Sequence, residues 1–121
     1  MMMALVRVDF HESRPPDFQE KIGEIITQVM REVLKVPDAE NYVIAEAHSH
    51  TAVCHQPGVL DDAQRAQIVF IQITLNQGRT TDLKQAFYAE LKQRMQEQLG
   101  VSTSAIYINL VEVDRANWAF A

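Results

Sequence analysis

The hydrophobic positions change period several times along the chain, and each change marks an element. Residues 4–10 alternate: Val6, Val8 and Phe10 point one way, Arg7 and Asp9 the other. That period of two predicts a strand with one strongly apolar face. From Asp17 the spacing becomes three and four, through Phe18, Ile22, Ile25, Ile26, Val29, Met30, Val33 and Leu34, which predicts an amphipathic helix. Pro16 and Asp17 suit its first turn and Pro37 its stop. A second strand is expected over 41–47. Residues 48–66 show no clear period and predict a long surface loop with room for one short helical or hairpin piece. Residues 67–75 are almost unbroken apolar and β-branched, as a central strand requires. Residues 76–79 read as a turn. Thr80 or Thr81 caps a second helix that carries Leu83, Phe87, Leu91, Met95 and Leu99 on one stripe and stops at Gly100. A last strand follows over 105–113, and 115–121 form a short aromatic tail.

An offset of 65 positions carries the first half onto the second without a gap. Val6, Val8 and Phe10 fall on Ile71, Ile73 and Leu75; Arg14 falls on Arg79, Asp17 on Asp82, Met30 on Met95, Leu34 on Leu99 and Tyr42 on Tyr107. Each half, about 4–48 and 69–113, therefore reads as strand–helix–strand, long enough for a right-handed βαβ crossover with a parallel pair. The expectation is an α/β (α+β) fold in one domain over 1–121, made of duplicated β-α-β units. They give a four-stranded sheet with both helices on one face. The other face would carry Leu5, Tyr42, Ile44, Phe70, Tyr107 and Val111 among Arg7, Asp9, Glu46, Gln72 and Asn109. Such a surface is too apolar for water and too polar for a dry core, and burial against further copies resolves the conflict.

The chain has 121 residues, enough for one core. Sixteen acids against eleven Lys and Arg give a net charge of −5. That balance speaks against a nucleic-acid partner, which needs a basic stripe, and against a polybasic membrane anchor. No stretch reaches the roughly 18 apolar residues of a membrane helix. Arg7 and Asp9 interrupt the first segment, so it is no signal peptide. The single cysteine, Cys54, excludes an internal disulfide framework. The expected location is cytoplasmic.

Three segments carry a resemblance. The run 36–42, Val-Pro-Asp-Ala-Glu-Asn-Tyr, resembles the helix-to-strand segment in relatives of malonate semialdehyde decarboxylase. The run 71–80, Ile-Gln-Ile-Thr-Leu-Asn-Gln-Gly-Arg-Thr, is similar to their central strand and arginine turn. Residues 109–113 and 117–120 are similar to their final strand and aromatic tail. The chain thus resembles the tautomerase superfamily, in its fused-βαβ, malonate semialdehyde decarboxylase-like branch, from Ala4 to Phe120. The resemblance implies a tautomerase/MIF-like fold and a homotrimer, without cofactor. It also implies an amino-terminal proline acting as general base or acid, and arginines that hold the carboxylate of a small keto or enol acid. A free α-amine titrates near 7.7–8.0, and a pocket with nearby cations lowers it further, so it suits proton transfer at neutral pH.

The chain departs from that pattern at the proline, whose place is taken by Ala4 behind three methionines. Translation from Met3 followed by trimming would expose a primary amine on Ala4; translation from Met1 would not. Glu40 stands where some relatives carry an aspartate, and Asn41 where many carry arginine. Of an arginine pair seen in the decarboxylases, Arg79 remains and Gln77 replaces its companion.

The candidate catalytic residues are therefore Ala4, Arg79 and Glu40, with Gln77, Arg7, Trp118 and Phe120 as candidate substrate contacts. Each has a structural alternative. Arg79 could pair with Asp82 at the helix start, as Arg14 could with Asp17. Glu40 could be a water-exposed loop acid, and Arg7 could form an ion pair with Asp9 or Glu46. The tail could simply pack on a neighbouring subunit. His48, His50, Cys54 and His55 fit no common zinc spacing, so no metal is assigned and a solvated loop is expected. The function expected by resemblance is binding, and keto–enol isomerisation, of a small carboxylate-bearing compound. Two alternatives stay open: a proline-less binding or structural trimer, and a decarboxylase or hydratase of a short 3-oxo or unsaturated acid.

Overall fold

The computed structural model describes residues 3–52 and 58–119. Four strands, β1 (Ala4–His11), β2 (Asn41–His48), β3 (Val69–Asn76) and β4 (Ile106–Val113), form one sheet in the order β2-β1-β3-β4. β1 runs parallel to β2 and β3 parallel to β4, while the two central strands pair antiparallel. Helices α1 (Phe18–Val33) and α3 (Thr81–Leu99) connect the parallel pairs. They pack on each other and on one sheet face, so the expected architecture is the observed one.

Alternation decides which face the helices cover. Val6, Val8, Phe10, Ile71, Ile73 and Leu75 are buried together with Ile22, Ile26, Met30, Phe87, Leu91 and Met95. Burying each such side chain stabilises the fold by roughly 1.5–3 kcal/mol. The intervening positions point to the uncovered face, where Leu5, Tyr42, Ile44, Phe70 and Tyr107 are all more than one-third exposed. Phe70 and Tyr107, partners across β3 and β4, stack there with ring centroids 5.4 Å apart.

The element bounds repeat with the sequence offset. β1 and β3, β2 and β4, and the short 3₁₀ turns at 38–40 and 103–105 and at 50–52 and 115–117 all lie 65 residues apart. The helix ends match as well. Lys35 (φ 61°) and Gly100 (φ 67°) both take the left-handed conformation after a helix. Beyond them the Val36 amide donates to Met30 O at 3.1 Å and the Val101 amide to Met95 O at 3.3 Å. This closure, six residues back, satisfies orphan helix carbonyls in both halves.

The segment after β2 holds a short helical piece of the kind for which the sequence leaves room. Helix α2 (Asp62–Gln67) occupies its end, held by a capping box in which the Asp61 carboxylate accepts from the Gln64 amide and the Gln64 side chain accepts from the Asp61 amide. Gln67, expected as the first residue of the central strand, is the last of this helix. A six-residue helix has too few turns to leave an apolar period, so its signal was the cap rather than the pattern.

Lys35 is a lysine in a position that costs roughly 1–2 kcal/mol for a side chain with a Cβ, more than glycine loses through its freer unfolded state. Lys35→Gly should raise stability by roughly 0.5–1 kcal/mol, and Gly100→Ala should lower it by a similar amount, both read from urea unfolding midpoints. Changes of the same sign at the two positions would contradict this account.

Candidate functional site

One end of the sheet collects most of the candidate residues. The parallel and antiparallel registers place Ala4 beside Asn41 on one side and Leu75 on the other. Leu75 and Asn76 lie opposite Glu112 and Val113. The first residue of β1, the turn before β2, the turn after β3 and the chain leaving β4 therefore meet at one edge.

Ala4 is fully buried on the helix-covered side. Beside it, both amide atoms of Asn41 are sealed from solvent without a hydrogen-bond partner. Such burial costs about 1–3 kcal/mol per unsatisfied group and calls for a compensating role. Glu40 is the last residue of the 3₁₀ turn that leads into Asn41, and it is half-buried rather than the water-exposed loop acid of the alternative reading.

Arg79 is half-buried behind this edge. Its Nη1 donates to Asn76 O at 3.0 Å and its Nη2 to Leu34 O at 3.1 Å, while Nε is sealed and unpaired. Leu34 closes α1, so the guanidinium sits at the negative end of that helix dipole. The pairing with Asp82 does not form. The side chain reaches inward to carbonyls, whereas Asp82 is an exposed first-turn residue of α3. Arg14 likewise ignores Asp17. It donates to Gln67 O at 2.7 Å and lies 5.3 Å over the Phe18 ring, and Asp17 takes Lys21 instead. Burial pushes the Arg79 guanidinium below its ordinary value and the charge of Glu112 acts the other way; the group stays cationic at neutral pH.

Around Arg79 stand Glu112, Lys84 and Asn76, which the sequence does not single out, and the candidate contacts Gln77 and Trp118. Glu112 pairs with Lys84. The hydrogen bond from Lys84 is the main influence that holds its carboxyl below the usual range. Burial opposes that bond, while the Gly78 amide and the charge of Arg79 add to it. The Gln77 side chain donates to Asp114 Oδ1 at 2.5 Å, and its amide donates to Val113 O at 3.0 Å. The Trp118 indole Nε1 donates to Asn76 Oδ1 at 2.6 Å, which fastens the tail over the end of β3. Finding Glu112 and Asn76 in advance needed the β3–β4 register, since no spacing along the chain links them.

Other candidates fall elsewhere. Arg7 lies on the uncovered face, away from Ala4, and bonds Asp9 at 3.0 Å and Glu46 at 2.9 Å, which is its structural alternative. Phe120, Cys54 and His55 lie outside the described residues. His48 and His50 do not converge. His48 ends β2 against Asp9, whereas His50 sits in the 3₁₀ turn between His11 (3.2 Å) and Asp62 (3.1 Å).

A family model described as "Tautomerase enzyme" matches residues 39–121, which hold the Glu40 turn, Arg79, Glu112 and Trp118. The chain belongs to the tautomerase superfamily. One relative of this chain is the probable tautomerase YusQ of Bacillus subtilis (strain 168), 25% identical with 98% of this chain and 93% of that one covered. The probable tautomerase YrdN of the same organism is 26% identical, covering 98% and 91%. In fold the chain is similar to FG41 malonate semialdehyde decarboxylase inhibited by 3-bromopropiolate, with a TM-score of 0.81 at 24% identity over 97% of this chain and 88% of that one. It is similar as well to a fused 4-OT symmetric trimer, with a TM-score of 0.81 at 19% identity over 97% and 91%. The chain thus shares its fold with malonate semialdehyde decarboxylase, the relative whose branch the sequence resembles.

Glu112 contributes stability that is present above the ordinary carboxylate range and lost as pH falls through its lowered value. Glu112→Gln should therefore lower stability near pH 7 and flatten the acid limb of the stability profile. Urea midpoints between about pH 7 and 3 measure both; an unchanged acid limb would show that the pair with Lys84 contributes nothing.

Proposed function

We propose that this tautomerase binds a small carboxylate-bearing keto or enol compound through Arg79 and isomerises it by proton transfer at the amine of Ala4. The observation that carries the reading is the state of Arg79: a half-buried guanidinium with carbonyl partners and no carboxylate among the described residues. It stands at the sheet end where β1 begins and Trp118 closes over Asn76. A guanidinium in that state exchanges a neutral acceptor for a charged one when a carboxylate arrives, and it stabilises charge as an enolate develops. The two B. subtilis relatives, each a probable tautomerase, support the reaction class.

The amine must be freed for this chemistry. Trimming after Met3 leaves Ala4 as a primary amine at the start of β1, with Glu40 and Asn41 beside it. The Gln77 amide, engaged with Asp114, offers a neutral hydrogen bond where a second arginine would offer charge, so the reading is proton transfer rather than decarboxylation. The uncovered sheet face supports a homotrimer, with Leu5, Tyr42, Ile44, Phe70 and Tyr107 turned inward. The complete burial of Ala4 favours a second reading, in which the amine is never released and the protein holds its ligand without turnover.

Phenylenolpyruvate ketonisation should proceed faster than in buffer and fall at least about 100-fold in Arg79→Ala, the loss of a charge-assisted bidentate contact worth roughly 3 kcal/mol. N-terminal analysis of native protein should find Ala4 first. Retained Met1 with small acids still bound would select the second reading, and absence of both turnover and binding would reject the two together. Sedimentation should give three copies; a monomer would contradict the buried-face argument.

A further inference from the structure

At the far end of the uncovered face, three potential metal ligands stand together outside the site described above. Asp9 and Glu46 are register partners on β1 and β2, and His48 follows two residues after Glu46, so all three project from the same face. One oxygen from each acid and one imidazole nitrogen lie within 4.8 Å of one another. His48 Nε2 is 2.6 Å from Asp9 Oδ1. Ligands at about 2.0–2.2 Å from a tetrahedral ion stand roughly 3.3–3.6 Å apart, so closing this trio on an ion needs side-chain adjustment and no movement of the strands. Their backbones are fixed by sheet pairing on both sides of β1, which supplies the preorganisation that a loop cluster lacks.

A cation already occupies the position. Arg7 Nη2 spans Asp9 Oδ1 at 3.0 Å and Glu46 Oε2 at 2.9 Å. Burial works to raise Asp9, but the hydrogen bonds from His48 and Arg7, with their charges, hold its carboxyl below the usual range. Asp9 is therefore ionised, and Arg7 draws it and Glu46 together under one positive group, which is the electrostatic condition a metal ion exploits. The guanidinium hangs on a flexible side chain, 43% exposed in the single chain, and yields the carboxylates by rotating within the face that the copies share. One imidazole with two carboxylates suits a borderline first-row divalent ion. Calcium prefers oxygen alone, and copper(I) prefers thiolate or thioether sulfur.

We propose that Asp9, Glu46 and His48 form a site for a divalent first-row cation such as Zn²⁺ or Co²⁺, in exchange with the guanidinium of Arg7. His48 binds through Nε2, the ring nitrogen that faces Asp9. Arg7 competes for both carboxylates, which makes the native site moderate in affinity and gives it a signature that ordinary surface acids do not share.

Titration of the full chain with Zn²⁺, followed by calorimetry, and with Co²⁺, followed by its visible absorption, tests the site. One ion per chain is expected, with affinity weakened at least tenfold by His48→Ala or Glu46→Gln and strengthened about tenfold by Arg7→Ala. These residues lie outside the core of the single chain but on the face turned inward between copies, so circular dichroism and sedimentation of each variant verify fold and assembly. No binding to the unmodified chain would overturn the proposal. Binding that survives His48→Ala but is lost in Cys54→Ser would overturn it as well, as would an Arg7→Ala variant that binds no better than the parent.

Discussion

Everything in this molecule depends on a sheet that is covered on one side only. The two central strands supply both faces. Val6, Val8 and Phe10 with Ile71, Ile73 and Leu75 go under α1 and α3, while Leu5, Arg7, Asp9, Phe70 and Gln72 remain outside. A one-residue slip of either strand would exchange the two sets. It would put Arg7, Asp9 and Gln72 under the helices, where an unpaired charge costs far more than a methyl group gains. The antiparallel register between β1 and β3 is therefore fixed by chemistry on both faces, and the outer strands follow through their short helical crossovers.

The same register builds the two ends of the sheet differently. The repeat offset relates Arg14 to Arg79, and both guanidinia reach a backbone carbonyl near the close of a helix: Gln67 O in α2 for one, Leu34 O after α1 for the other. The connector between the halves marks one of these ends. β3 is entered from α2, whose Arg65 and Asp62 engage the turn at His50. One end is thus closed by the chain that connects the halves. Duplication alone would give two equivalent ends; the connector makes them inequivalent.

The fold was legible because its information is local. The alternation at Val6, Val8 and Phe10, the spacing from Phe18 to Leu34 and the Gly100 stop each lie within one element. The 65-residue offset then tied the elements into pairs. Helix α2 was not legible as a period, because six residues cannot display one; its Asp61–Gln64 cap was the available signal. The candidate site was legible only where it depends on chain neighbours. Ala4, Glu40 and Arg79 were found through the family resemblance, and the sheet brings their segments to one edge. Glu112, Lys84 and Asn76 owe their places to the β3–β4 register and the tail, which no linear spacing reports. The alternative pairings of Arg79 with Asp82 and of Arg14 with Asp17 do not form for a related reason: both acids are close in sequence but sit exposed at the start of a helix.

The position of Arg79 also explains how one residue serves as both a structural and a functional candidate. A guanidinium that ends a helix is held in place by carbonyls that carry only partial charge. Those bonds fix the direction of the group without neutralising it. A carboxylate partner such as Asp82 would have fixed it equally well and cancelled it. Glu112 is near enough to influence Arg79 electrostatically, yet it gives its salt bridge to Lys84. Positioning by carbonyls and diversion of the nearest acid together leave a half-buried, oriented positive charge beside the start of β1. That combination is what recognition of a small anion requires, and it follows from the helix end being where the arginine turn needs its hydrogen bonds.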